Sequence, residues 1–183
     1  MSSWRQFDPQ ALREAAPVSR AARVRVLGLD PGSRRTGFGV IDCEGAQHTH
    51  VANGCIAAAG APMAMRLRAL FEGVERLIAT YHPDEVAIER VFVNRNVDSA
   101  MKLGQARGAA LCAVPAGTSV FEYAPRAIKL AVVGSGAAEK AQVAHMMKVL
   151  LQLAELPGAD AGDALAVALC HAHSRRLQLL VAS

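Results

Sequence analysis

The chain has 183 residues, 52% of them apolar and only 4% aromatic, and a formal net charge of +4. That length and apolar content exclude a disordered chain and suit one domain in which helices rich in Ala, Val and Leu pack on a sheet. The mild positive balance is compatible with nucleic acid without requiring it, and no apolar run is long enough to span a bilayer. The N-terminus lacks the apolar core of a signal peptide, and Cys43, Cys55, Cys112 and Cys170 form no C-x-x-C pair. Free, buried thiols in a reducing cytoplasm are the expectation.

Residues 1–22 show no clear period and are expected to be a flexible extension preceding one domain over residues 23–183. Val24, Val26, Leu27 and Leu29 then make a strand that ends on Asp30, where Pro31-Gly32 turns the chain. Gly37 to Ile41 return as a second strand, and a third runs from about His48 to Ile56. Pro62 opens a helix whose apolar positions, from Met63 to Ile78, recur at helical spacing, with Glu72 and Arg76 as an i,i+4 pair. It should stop near Tyr81-His82-Pro83.

Glu85 to Glu89 is a short strand reached through that helix, so it should run parallel to the first. Asp30 and Glu89 then end neighbouring strands at one edge, where open α/β sheets place their ligands. A loop carries Phe92, Asn94, Arg95 and Asn96, and a helix follows from about Val97 to Val114. Its Ala100, Gly104 and Gly108 leave one face without bulk, a loss of about 1 kcal/mol per glycine that close packing against the sheet or a second copy would explain. Val120 to Glu122 is a fifth strand, and helices follow over about 124–133, 139–153 and 160–179.

Asp160 and Asp163 stand three apart in the first turn of the last helix, so both should point roughly the same way. Taken singly, Asp30 reads as turn chemistry, Glu89 as a solvent-facing strand end and Asp160 as a helix cap. If the last helix crosses the edge that holds Asp30 and Glu89, four carboxylates converge. Such a cluster must take up protons or bind hard divalent cations. Two such ions would clamp the attacking and leaving oxygens of a phosphoryl displacement. Gly134 to Lys140 fails as a phosphate loop because Glu139 and Ala141 occupy positions that require Gly and Ser or Thr. Cys170, His171 and His173 lack a second ligand pair for zinc.

The blocks Leu29-Asp30-Pro31-Gly32-Ser33-Arg34, Ala87-Ile88-Glu89 with Val91-Phe92, and Ala100-Met101-Lys102-Leu103-Gly104-Gln105-Ala106-Arg107-Gly108 resemble the RuvC family of bacterial Holliday junction resolvases. So do Val120 to Ala124, Val132-Val133-Gly134 with Ala138-Glu139-Lys140, and Ala159 to Ala166. The resemblance covers about Val24 to His173. It implies an α/β, ribonuclease H-like fold with a central five-stranded mixed sheet flanked by helices. It also implies a cytoplasmic homodimer that cuts four-way DNA junctions by paired symmetric incisions, in recombination and repair. Two Mg²⁺ ions per site are implied, with Mn²⁺ able to substitute, as is a branch-migration helicase partner (RuvA and RuvB).

Carried over by position, Asp30, Glu89, Asp160 and Asp163 become the metal-binding catalytic carboxylates. Phe92, Arg95, Lys129 and Lys140 become DNA contacts, and the 97–114 helix becomes the dimer helix. Arg90 departs from the Gln frequent in the family, and some members carry His at the position of Asp160. Two readings stay open beside this one. One is a nucleotide-binding ATPase of the sugar kinase and actin kind, which needs two lobes where this chain has room for one. The other is a DNA-binding module without catalysis, which has no use for four acidic residues.

Overall fold

The computed structural model describes residues 23–91 and 96–182. The expected extension over residues 1–22, and Phe92 and Arg95, lie outside the described residues. β1 (Val24–Asp30), β2 (Arg35–Glu44) and β3 (Gln47–Ala57) form an antiparallel meander. α1 (Met63–Tyr81) crosses over to β4 (Glu85–Glu89), and α2 (Val97–Cys112) to β5 (Ser119–Tyr123). Both strands add in parallel, giving the order β3-β2-β1-β4-β5, the mixed sheet anticipated. α3 (Pro125–Val133), α4 (Lys140–Leu150) and α5 (Ala159–Ala182) complete the chain.

Alternation along the strands divides the core into two layers. Leu27, Leu29, Val86 and Ile88 pack with Leu70 and Val74 of α1 and Ala106 and Ala110 of α2. Val24, Val26 and Ala87 pack on the other side with Leu165 and Leu169 of α5, beneath Ile128 of α3 and Met147 of α4. Within α1, Glu72 pairs with Arg68 one turn back, at 3.9 Å, rather than with Arg76. His82 ends the helix in the left-handed region (φ 47°), its N–H bonding to the Ile78 carbonyl at 2.9 Å. All four cysteines are free; Cys43 and Cys170 are buried, but Cys55 is only half-buried and Cys112 is exposed.

α5 reaches the sheet over a strip with no side chains in the way. A Cβ on Gly28 would overlap the carbonyl of Ala164, and one on Gly37 the carbonyl of Asp160. One on Gly39 would come within 2.7 Å of the Leu165 side chain. The glycines of α2 behave differently, since a Cβ at Gly104 or Gly108 meets nothing within 4 Å. Of the two partners expected for that face, the sheet is therefore excluded within the chain.

The second half of α5 is held by a polar network. His171 is buried and stacks on Phe121 at 4.3 Å between ring centroids. Burial pushes its pKa down, outweighing the carboxylate of Glu85, so the ring is neutral. Its Nε2–H then donates to Glu85 at 2.6 Å, while the Tyr123 hydroxyl donates to Nδ1 at 2.7 Å. Arg175 grips the other oxygen of Glu85 at 3.1 Å. His173 bonds through Nδ1 to the Ala131 carbonyl at 3.0 Å, so these two histidines have structural partners.

Gly28→Ala should lower the unfolding free energy by about 1–3 kcal/mol, because the added methyl must push α5 off β1. Chemical denaturation of the purified variant measures this, and a variant as stable as the parent would contradict the close approach.

A carboxylate-lined candidate active site

β1 and β4 pair with Leu29 opposite Ile88, so the next residue on each strand, Asp30 and Glu89, emerges at the same edge. A cavity of about 410 Å³ opens there. Asp30 and Glu89 line it together with Asp163 from α5, Lys129 from α3 and Lys140 from α4. Its wall is partly apolar, from Leu103, Pro125, Ile128 and Val143. Five residues singled out in the sequence thus meet in one space, drawn from five elements.

The charges are balanced without any bound group. Asp30 and Glu89 are hydrogen-bonded to each other, which requires a shared proton. Burial first, and then the Asp30 charge beside it, raise the pKa of Glu89 to about 8. Burial raises that of Asp30 also, against the lowering effect of its bond from Glu89. Asp163 accepts from Lys140 Nζ at 2.9 Å, and this bond raises the lysine pKa.

Asp160 takes a different direction. Its Oδ2 lies 3.0 Å from Arg35 Nε on β2 and 3.8 Å from Cys55 Sγ on β3, and it does not line the cavity. The two aspartates of α5 therefore diverge instead of pointing the same way. Three helical positions still separate side chains by about 60°, and a cation waits on each side, Arg35 for Asp160 and Lys140 for Asp163. Among the described residues no group of three or more His, Cys, Asp or Glu side chains is close enough to enclose a metal ion.

The donor chemistry nevertheless fits a hard divalent cation. The set is all carboxylate oxygen, and a proton retained on Glu89 to about pH 8 marks a place short of positive charge. Asp30 and Glu89 would be the first ligands, Asp163 the next once released from Lys140. The roles of Arg35 and Cys55 beside Asp160 were not foreseen, since their meeting depends on the β2–β3 register, in which Gly37 faces Cys55. Arg107 was missed in the same way: it and Arg90, at 3.4 Å, both pair with Glu122 on β5 beside the cavity.

Metal-free protein should lose stability as pH rises from about 4.5 to about 8. Unfolded, Glu89 releases its proton near the ordinary value of 4.5; folded, it keeps it to about 8, so the native state binds the extra proton throughout that window. Glu89→Gln should therefore raise the melting temperature of chelator-treated protein at pH 8 and not at pH 4.5. Equal gains at both pH values would show that the carboxyl is not held protonated.

Comparisons with known proteins show the family of the chain. The family model described as "Crossover junction endodeoxyribonuclease RuvC" matches residues 26–171. The RuvC protein of Alkalilimnicola ehrlichii is 53% identical over 155 residues, covering 84% of this chain and 94% of that protein. That of Hahella chejuensis is 50% identical over 161 residues, covering 87% and 94%. Among solved structures, Thermus thermophilus RuvC in complex with a Holliday junction substrate superposes with a TM-score of 0.79 at 33% identity, over 85% of this chain and 96% of that one. A second structure of Thermus thermophilus RuvC gives 0.77 at 34% identity, over 84% and 96%. A yeast mitochondrial Holliday junction resolvase, at 12% identity and a TM-score of 0.61, shares the fold alone. The fold is ribonuclease H-like, and the chain belongs to the RuvC family of crossover junction endodeoxyribonucleases.

Proposed function

We propose that the protein is a structure-specific endonuclease that resolves four-way DNA junctions by metal-dependent hydrolysis of two phosphodiesters, placed symmetrically by a homodimer. The observation that carries this reading is the hydrogen-bonded pair Asp30 and Glu89 at the ends of adjacent parallel strands, facing Lys129 and Lys140 across one cavity. A half-buried acidic pair repels phosphate unless a cation stands between them. A DNA-binding module without catalysis has no reason to keep it.

Asp30, Glu89 and Asp163 would hold the cation, with Asp160 joining them on exchanging Arg35 for it. When bound, one or two divalent ions, Mg²⁺ with Mn²⁺ as a substitute, supply a Lewis acid for the scissile phosphate and an activated water. Lys140, paired with Asp163 at 2.9 Å, would be released if that carboxylate held a cation, and its ammonium would then neutralise charge on the phosphate oxygens. Lys129 adds a second positive charge on the same wall, orienting the strand. Phe92 and Arg95 are proposed as further DNA contacts by position in the family motif.

Specificity for four arms comes from spacing. Phosphate contacts carry affinity but little information, so a dimer presenting two sites at a set distance does the selecting. α2 supports that role. Gly104 and Gly108 leave its outer face open, and Val97 and Met101 are 63% and 62% exposed. Such a face loses helix propensity with no return from packing among the described residues. The domain reading, residues 23–183 as the nuclease and 1–22 as an extension, the partnership with a branch-migration helicase (RuvA and RuvB) and a cytoplasmic location belong to the same proposal. No helix among the described residues is long and apolar enough to cross a membrane.

A synthetic four-way junction should be nicked in pairs only when Mg²⁺ is added, with linear duplex of the same sequence left intact. Cleavage of both substrates alike would remove the junction reading. Asp30→Asn should reduce the cleavage rate by about 10³-fold or more while gel-shift affinity for the junction persists. Loss of binding in that folded variant would mean that the carboxylate has another role. Gly108→Leu should leave the monomer folded and raise the dimer dissociation constant at least about tenfold, the equivalent of ~1.4 kcal/mol. Sedimentation equilibrium reads this, and an unchanged constant places the dimer interface elsewhere.

A further inference from the structure

A second crevice, of about 520 Å³, opens on the same sheet edge between the turn after β1, the first turns of α1 and α2, and Gly60-Ala61. Ser33, Arg34, Arg66, Ser99 and Lys102 line it, and among the described residues no acidic one does. We propose that this crevice binds a backbone phosphate of the DNA, upstream or downstream of the phosphate held in the carboxylate cavity, and so fixes the path of the strand across the edge. The inference rests on the reading of the protein as a DNA junction nuclease and adds a site to it.

Three observations carry it. Arg66 is anchored: its Nη1 donates to the Ser33 carbonyl at 3.0 Å, and its Nε is shielded from water, so the guanidinium is held in place with its other end toward the crevice it lines. A guanidinium set in place by backbone needs no reordering to receive a planar pair of phosphate oxygens. Second, the other two cations cost little to engage. Arg34 is exposed, and Lys102 is paired only with Asp98 one turn away on α2, in a pair that water reaches from both sides. Two serine residues supply hydroxyls suited to the remaining phosphate oxygens. Third, the crevice is continuous in chain with the cutting site. Ser33 and Arg34 follow Asp30 through one short turn, and α2 follows the segment after Glu89. A DNA strand carries a charge about every 3.4 Å of helix axis, so a strand whose phosphate enters the carboxylate cavity brings other phosphates along the same edge.

The test is the salt dependence of junction binding without Mg²⁺, so that no strand is cut. Each phosphate that a side chain neutralises adds about 0.9 to the steepness of log affinity against log salt. Arg34→Gln, at an exposed position, and Lys102→Gln, at a half-buried one, should each make the slope shallower by about that amount and lower affinity for all junction sequences alike. Arg66→Lys keeps the charge but loses the fork, so it should weaken binding several-fold at an unchanged slope. Arg68→Gln removes a like charge from outside the crevice and should change neither. Thermal melting of every variant checks that the fold survives. Slopes for Arg34→Gln and Lys102→Gln equal to that of the parent overturn the phosphate site while leaving the nuclease reading intact. A parent protein that binds no junction overturns both.

Discussion

α5 lies on β1 and β2 where Gly28, Gly37 and Gly39 present only backbone, and the site depends on that close approach. With any side chain at these positions the helix would stand off by the width of a methyl group or more. Its first turn carries Asp160 and Asp163, and the carbonyl of Asp160 itself is among the atoms that a Cβ on Gly37 would strike. The same glycines that weaken β1 and β2 as strands therefore set the height of the helix above the edge where Asp30 and Glu89 end. Farther along α5, His171, Tyr123, Glu85 and Arg175 lock the helix in rotation and in register against β4 and β5. Packing fixes its distance at one end, and hydrogen bonding its orientation at the other.

Two carboxylates, the buried Asp42 on β2 and the half-buried Glu89 on β4, show how the fold separates structural acids from functional ones. Asp42 on β2 is nearly buried, and burial alone would raise its pKa, but Arg25 at 2.8 Å and Arg23 hold it below the usual range. The chain supplies that acid with its own cations. Glu89 has Asp30 beside it, and the charge of Lys140 offsets too little of the burial, so it is pushed to about 8. A fold optimised for stability alone would have given Glu89 a cation or removed it. Keeping it under-compensated leaves room for an external positive charge. Lys140 and Arg35, meanwhile, occupy the outer aspartates, so negative charge stays partly neutralised until something replaces them.

The outer face of α2 shows the same logic in apolar form. Gly104 and Gly108 give up helix propensity, and Val97 and Met101 stand exposed, with no gain from packing among the described residues. Among the described residues the carboxylate edge is short of positive charge and this face is short of a packed surface.

Much of this was legible from residue order. Apolar periodicity and turn residues located the described strands and helices to within a few residues, and one crossover helix between the third and fourth strands sufficed to place Asp30 and Glu89 on one edge. That inference works because handedness and strand direction follow from local chain geometry. The facing directions of Asp160 and Asp163 were not legible. Both sit in one helical turn, and which way each turns depends on Arg35 and Lys140, brought alongside by strand register and by the docking of α4. The free face of α2, and the crevice where Arg66 meets Ser33, were equally out of reach, since a sequence shows which residues lack bulk or carry charge but not what stands opposite them. Spacing along the chain settled which acids share an edge; only the packing of distant elements decided which of them share a cavity.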